Sequence, residues 1–314
     1  MKNNPILARI LQKLEIEKPD NFMNSLSQKI SQSDLNTFLL ALYAKLTARK
    51  TPAELLKLYE ENSYVKPSPI SPILLYKQEL KLLNMATEQD ILPVQLSPAA
   101  QLGSCSVIAT VSQNKIFSAV RGTEILADPT NMLALHISRE IKYNGLSNEI
   151  PIHFCATSRV IRGQKFLRKD LVQHFSLYGM VSSGRDRGSY SFESQCLVKH
   201  IGFYRDFFVL NFGAPISLTL HKRGGYTDSE GFIKRMQKIL QAEFPDTKIL
   251  VEDNEDSNAY YTGLQFTLYV HINGKAINNG DGGFVNWIQN MLGNKKERLL
   301  ISAIGIDRLC QPNQ

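Results

Sequence analysis

Ala259-Tyr260-Tyr261-Thr262-Gly263-Leu264-Gln265-Phe266, continued by Thr267-Leu268-Tyr269-Val270 and closed at Asn273-Gly274, is the stretch on which the fold of this chain turns. It reads as a strand entered through a tight glycine position and ended by a turn. Successive side chains of a strand point to opposite faces, so Tyr260 and Tyr261 are expected on opposite sides. One would pack in the core and the other would present its hydroxyl to a cavity. Taken alone, the stretch is more simply read as a core strand with two aromatic residues, so its meaning depends on the rest of the chain.

Working outward, composition sets the bounds. The 314 residues suffice for one large domain or two unequal ones, with 43% hydrophobic and 21% charged residues, as in globular proteins. The net charge of +7 allows contact with RNA or anionic metabolites without requiring either. Cys105, Cys155, Cys196 and Cys310 lie far apart with no C-x-x-C pair, against a zinc cage or a disulfide framework and in keeping with a reducing compartment. The histidines show no metal spacing, and no metal site is expected. The first residues carry Arg9 and Lys13 inside an apolar pattern, which describes an amphipathic helix and not a signal peptide, and no run is long enough to span a bilayer. A soluble, cytoplasmic protein without membrane contact is the expectation.

The chain before residue 67 reads as helical. Ile6, Leu7, Ile10, Leu11 and Leu14 share one helical face. Asp34 is positioned to cap a second helix with Leu35, Phe38, Leu39, Leu42 and Leu46 as its stripe. Thr51-Pro52-Ala53-Glu54 is a capping box with proline at the first helical position. Lys66-Pro67-Ser68-Pro69-Ile70-Ser71-Pro72 forbids a continued helix, which divides the chain into a helical region over 1–66 and a main domain over 67–314.

Beyond that linker the texture alternates. Tyr76 to Met85 reads as a helix; Val107 to Val111 and Ile116 to Val120 read as a hairpin; Asp128-Pro129-Thr130 is a turn or a helix cap before a helix over Met132 to Ile141. Strands follow at Ile152 to Thr157 and His174 to Ser182, with a polar loop at Gly163 to Leu171 between them. Helices over Phe192 to Phe208, Ser229 to Phe244 and Phe284 to Leu292 intersperse with strands at Ile216 to Leu220 and Leu299 to Gly305. This pattern predicts an α+β domain: a largely antiparallel sheet flanked by helices, preceded by the small helical region.

Three separated segments resemble, in order, the class II aminoacyl-tRNA synthetases. Ser158-Arg159-Val160-Ile161-Arg162-Gly163-Gln164 followed by His174-Phe175-Ser176-Leu177-Tyr178-Gly179 is similar to their second signature, a basic loop and a returning strand that bracket ATP. Ala303-Ile304-Gly305-Ile306-Asp307-Arg308-Leu309 is similar to the third, which carries a phosphate-binding arginine. Tyr260-Tyr261-Thr262-Gly263 resembles the histidine-binding strand of the histidyl branch, and Ala127-Asp128-Pro129-Thr130 stands where that branch holds the α-amino group of histidine. The resemblance covers roughly residue 70 to the end.

The resemblance implies a class II core, a homodimer formed through the region after the linker, and ATP with Mg as the nucleotide ligand, although no cofactor is demanded by the residues themselves. It implies an amino-acid site at Asp128, Thr130, Tyr260, Tyr261, Thr262 and Gly263, and a nucleotide site at Arg159, Arg162, Phe175, Gly305 and Arg308. Arg159 would meet the α-phosphate and Arg308 the γ-phosphate, because the planar guanidinium grips two oxygens and stays charged.

The departures point away from catalysis. Ile161 stands where the family carries an acid, Leu177 and Val181 replace polar histidine contacts, and Asp256 occupies the place of a catalytic arginine. A unit charge at ~5 Å with an effective dielectric of about 20 is worth roughly 3 kcal/mol, so a reversal swings about twice that. No arginine lies between Arg235 and Arg298 to compensate. The family's glycine-rich turn survives as Asn278-Asn279-Gly280-Asp281-Gly282-Gly283 without its basic and aromatic side chains, and an anticodon-binding domain after the third signature is not expected. No catalytic residue is therefore expected. The pattern resembles the regulatory subunit of ATP phosphoribosyltransferase, implying a non-catalytic binder of histidine or a more apolar amino acid, partnered with that enzyme's catalytic subunit. The alternatives are a stand-alone amino-acid adenylating ligase and, lower, a tRNA-binding module, disfavoured because the basic residues form no concentrated stripe.

Overall fold

The computed structural model describes residues 4–164, 173–252 and 260–310. Asp256 and most of the loop expected over Gly163 to Leu171 lie outside the described residues. The N-terminal helices are α1 (Pro5–Lys13), α2 (Pro19–Asn24), α3 (Gln32–Thr47) and α4 (Pro52–Glu61). The capping box at Thr51 and Glu54 is complete, while α3 starts three residues earlier than its stripe suggests: Ser31 is the cap and Asp34 supplies the backbone N–H it accepts. The linker side of this region is tied down. Tyr64 donates to the Gly163 carbonyl at 2.9 Å and packs edge-on against Phe117.

The main body follows as α5 (Pro72–Glu88), β1 (Leu92–Pro93), β2 (Ala99–Gln101), β3 (Thr123–Ile125), α6 (Pro129–Asn144), β4 (Ile152–Ile161) and β5 (His174–Arg185). Then come α7 (Ser191–Phe212), β6 (Ile216–Lys222), α8 (Ser229–Glu243), β7 (Lys248–Glu252), β8 (Thr262–Ile272), β9 (Lys275–Phe284), α9 (Trp287–Leu292) and β10 (Glu297–Gly305). An 8-stranded sheet runs in the order β1-β4-β5-β10-β9-β8-β6-β7. Every pair from β4 to β6 is antiparallel, whereas the edge strands β1 and β7 pair in parallel with β4 and β6. The sheet is thus mixed, with the expected antiparallel centre.

Alternation along the strands sorts two faces. Leu264, Phe266, Leu268 and Val270 of β8 enter one core with Phe203, Tyr204 and Phe207 of α7, Met236 of α8 and Leu82 of α5. On the other face, Phe154, Ala156, Val181 and Ile301 pack with Leu133 and Ile137 of α6 and Trp287 of α9. A polar thread crosses the first core: His153 meets Ser182 at 2.6 Å, Ser182 meets His200 at 2.7 Å, and His200 and Tyr204 both meet Ser302 at 2.7 Å. It fastens α7 to β4, β5 and β10 while leaving no ring nitrogen of His200 unsatisfied.

Three sequence expectations change. The hairpin over residues 107–120 does not form: Ser104–Ile108 is a π-helical turn and Gln113–Lys115 a 3-10 turn. The cause is Glu124, fully buried, whose carboxylate accepts from the backbone of Gly103 and Cys105 and from the Gln113 amide, each at 3.0 Å. Charge-assisted bonds to backbone donors outweigh a ladder between two short apolar runs. Second, Asn278 to Gly283 is no turn but the middle of β9. A Cβ at Gly282 would come within 2.6 Å of the Ile301 carbonyl, so the glycine serves close strand packing. Third, Tyr260 and Tyr261 precede the strand instead of belonging to it, and their rings meet edge to face at 4.7 Å within one cluster. Both lie ahead of β8, and regular pairing resumes only at Gln265, after Gly263 takes a left-handed φ of +68°.

Candidate functional site

The ends of α6, β4, β5, β8, β9 and β10 enclose a cavity in two compartments. The larger, about 490 Å³, is walled by Ser68 to Ile70 of the linker, Phe175 to Leu177, Thr267, Asn278 to Asp281, Gly305, Asp307 and Arg308. The smaller, about 320 Å³, is walled by Cys105, Lys115, Tyr260 and Tyr261 among others. Asp128, Arg162, Gln265 and Asp281 border both and join them.

Asp128 is the N-cap of α6. Its Oδ1 accepts from the Thr130 backbone N–H and from the Thr130 hydroxyl, both at 2.8 Å. Pro129 occupies the first helical turn, where it sacrifices no hydrogen bond. With Oδ1 committed to the helix, Oδ2 is turned to Arg162, 3.8 Å away. Thr130 is buried and sits behind Asp128, so it orients the carboxylate instead of lining the cavity.

Asp281 is the residue that sequence reasoning missed. It lies on β9 opposite Thr267, and the Tyr261 hydroxyl donates to its Oδ2 at 3.2 Å. Burial first, and then the negative charge of Asp128, push its carboxyl above the ordinary aspartate range, while the Tyr261 bond and Arg162 pull the other way. The hydroxyls of Tyr260 and Tyr261 are held un-ionised by burial, reinforced by these carboxylates. Two carboxylates beside two tyrosines form a site suited to an ammonium group. The signal was present in the alternation Asn279, Asp281, Gly283, which a strand places on one face. Reading the glycines as a turn hid it.

The expected amino-acid residues therefore divide. Asp128, Tyr260 and Tyr261 meet at the smaller compartment. Thr262 instead lines a separate cavity with Tyr226 and Asn286, and Gly263 packs where a Cβ would lie 2.3 Å from the Tyr226 ring. Their part is to shape the strand entry. Cys105 borders the smaller compartment, but burial pushes its thiol up to about 12, and it accepts from the Asn131 amide at 3.1 Å. It is a packed thiol and not a nucleophile.

The nucleotide set divides as well. Arg162, Phe175, Gly305 and Arg308 border the larger compartment. The Arg162 guanidinium lies 5.3 Å from the Phe175 ring centroid, and its Nε donates to the Ala127 carbonyl at 3.3 Å. Arg308 donates to the Asn278 carbonyl. Arg159 stands behind that wall, paired with its residues Asp307 and Ser176. It shares the face of Cys155, on the α5 side of the sheet, and borders neither compartment. Its Nε donates to His174 at 2.8 Å and its Nη2 lies 3.6 Å from Asp307, which in turn accepts from the Ser176 backbone at 2.8 Å. Strand alternation explains the swap: in β4, even-numbered Phe154, Ala156 and Val160 face the cavity side and odd-numbered positions face α5. Leu177 walls the larger compartment, and Val181 is buried in the core beside α6.

Phe175, Arg162 and Arg308 thus share the larger compartment with three carboxylates, Asp128, Asp281 and Asp307, while the smaller joins Asp128 and Asp281 to Tyr260, Tyr261, Arg162 and Lys115. Among the described residues, no group of three His, Cys, Asp or Glu side chains is arranged to hold a metal ion, and no helix is long and apolar enough to cross a membrane.

The mixed sheet and its flanking helices have the fold of a class II aminoacyl-tRNA synthetase-like core, as in histidyl-tRNA synthetase structures. Among solved structures, the chain is similar to an ATP phosphoribosyltransferase regulatory subunit/histidyl-tRNA synthetase from Bacillus halodurans, with TM-score 0.59, 12% identity, and 80% and 83% of the two chains covered. It is also similar to the apo histidyl-tRNA synthetase of S. aureus, with TM-score 0.55, 15% identity and 78% and 69% coverage. The RNA binding domain of threonyl-tRNA synthetase from Cryptosporidium parvum matches at TM-score 0.59 and 13% identity, covering 79% and 66%. No protein-family model matches the sequence, and no curated protein matches it.

Proposed function

We propose that this chain is a non-catalytic histidyl-tRNA synthetase-like paralogue that binds an amino acid through its ammonium group, beside a compartment that takes a nucleotide, and serves as a regulatory subunit of ATP phosphoribosyltransferase in histidine biosynthesis. The observation that carries the reading is the placement of Asp128 Oδ2 and Asp281 on one cavity, with the Tyr261 hydroxyl fixing Asp281. An ammonium entering there stabilises the charged form of Asp281, which burial otherwise penalises. The absence of catalysis is supported by Arg159, which is tied to His174 and to Asp307 of the cavity wall without itself bordering the cavity, leaving Arg162 and Arg308 as the arginines bordering the larger compartment among the described residues. The regulatory role is supported by the likeness to a structure described in those words.

Amino-acid-dependent pyrophosphate exchange and association with an ATP phosphoribosyltransferase catalytic chain test this reading together. It requires no exchange with any amino acid, and a stable complex with the catalytic chain. Robust exchange with one amino acid would transfer the assignment to a stand-alone adenylating ligase, the second reading, which Arg162 and Arg308 on the cavity wall favour.

A further inference from the structure

Asn279 is only 4% exposed and borders the larger compartment. Among the described residues neither its amide oxygen nor its amide nitrogen has a hydrogen-bond partner. Interiors pair such atoms almost without exception, so a buried carboxamide unsatisfied at both ends and facing a cavity is arranged for a ligand. Its position follows from the backbone. The β8–β9 register shifts between Leu268↔Gly280 and Tyr269↔Asn278, and Asn279 falls in the step, outside the ladder. Gly305 on β10 leaves the space beside it open, since a Cβ there would lie 3.9 Å from Asn279 Oδ1. Phe175, under the Arg162 guanidinium, gives the same compartment an aromatic and cationic wall.

We propose that Asn279 is a specificity-determining residue that reads the edge of a purine nucleotide. A carboxamide sets one donor beside one acceptor in a plane, and it pairs edgewise with a base offering the complementary couple. Both 6-amino and 6-oxo purines do so, the latter with the amide turned over, whereas a purine without a 6-substituent offers only half the pairing. This inference rests on the nucleotide reading of the larger compartment.

The test is calorimetric titration of wild type and Asn279→Leu with ATP, GTP and the triphosphate of unsubstituted purine riboside. Wild type is expected to bind ATP or GTP about tenfold or more tightly than the unsubstituted purine. Asn279→Leu is expected to bind all three alike, at the weaker level, with a melting temperature no lower than wild type because an apolar isostere leaves no unpaired amide. Retention of the preference in Asn279→Leu, or equal binding of all three by wild type, overturns the inference and leaves the nucleotide compartment standing. Failure of every nucleotide to bind wild type removes the nucleotide reading itself, and this inference with it.

Discussion

The hydroxyl of Tyr261 donates to Asp281 Oδ2 at 3.2 Å, joining the chain just before β8 to the middle of β9 across the smaller compartment. That bond makes Asp281 part of the site, because it fixes one carboxylate lone pair and leaves the rest of the group facing the space that Asp128 also faces. Burial and the charge of Asp128 raise the Asp281 carboxyl above its ordinary range despite Arg162 nearby, and the consequences can be measured.

Asp281→Asn should raise the melting temperature of the ligand-free protein at neutral pH. Asp281 has its folded pKa raised above the unfolded value, first by burial and then by Asp128. Its contribution to stability is therefore complete below the unfolded pKa and lost as pH rises through the folded pKa. The advantage of Asp281→Asn should accordingly shrink towards acid pH, and thermal melts across pH 3 to 8 would show it. An unchanged or lower melting temperature at neutral pH would mean the pair carries no strain.

Arg162→Ala should weaken nucleotide binding about tenfold to a hundredfold, the loss of a charged hydrogen-bonding group. Arg159→Ala should leave it within about twofold, since Arg159 borders neither compartment. Its effect should instead be a stability loss of about 1 kcal/mol, modest because the Arg159–Asp307 pair is partly solvated. Titration of both variants with the same nucleotide separates the two roles, and the reverse ranking would refute the placement of Arg159.

The polar thread under α7 should make the protein acid-labile. Burial, followed by the charge of Lys199, lowers His153 from 6.5 to about 4, and burial with the charge of His153 lowers His200 well below its ordinary value. These folded pKa values are depressed, so the folded state excludes protons that the unfolded chain accepts. The stability they sustain is present above about pH 6.5 and drains away as pH falls towards 4, by about 3 kcal/mol for His153. Urea midpoints measured from pH 7 to 4 should fall, and His153→Asn should flatten the decline. A midpoint independent of pH would rule out burial as the cause.

Much of this architecture was legible in the chain. The capping box at Thr51 and Glu54, the cap at Asp128 and the apolar strand ending at Gly305 are local signals, each with its own chemistry, and the structure contains them. What escaped depends on long-range partners. Nothing local in Val107 to Val120 reveals that Glu124 will be buried there with two backbone N–H groups to satisfy. The parallel edge strands β1 and β7 owe their pairing to β4 and β6. Arg159 and Arg162 look interchangeable as basic residues, yet strand parity sends one to the α5 side and the other to the cavity. Asp281 was hidden by glycines that serve close packing of β8, β9 and β10 and not a turn.

Whether Asp128 and Asp281 receive an ammonium group is decided by calorimetric titration with histidine, with other amino acids and with their des-amino analogues, on wild type and Asp128→Asn. Asparagine caps a helix about as well as aspartate, so α6 survives the change while the charge is removed. At least one amino acid should bind wild type, its des-amino analogue should bind at least about tenfold more weakly, and Asp128→Asn should weaken the amino acid by a similar factor. Equal binding of the des-amino analogue, or binding by no amino acid at all, would contradict an ammonium site at Asp128 and Asp281.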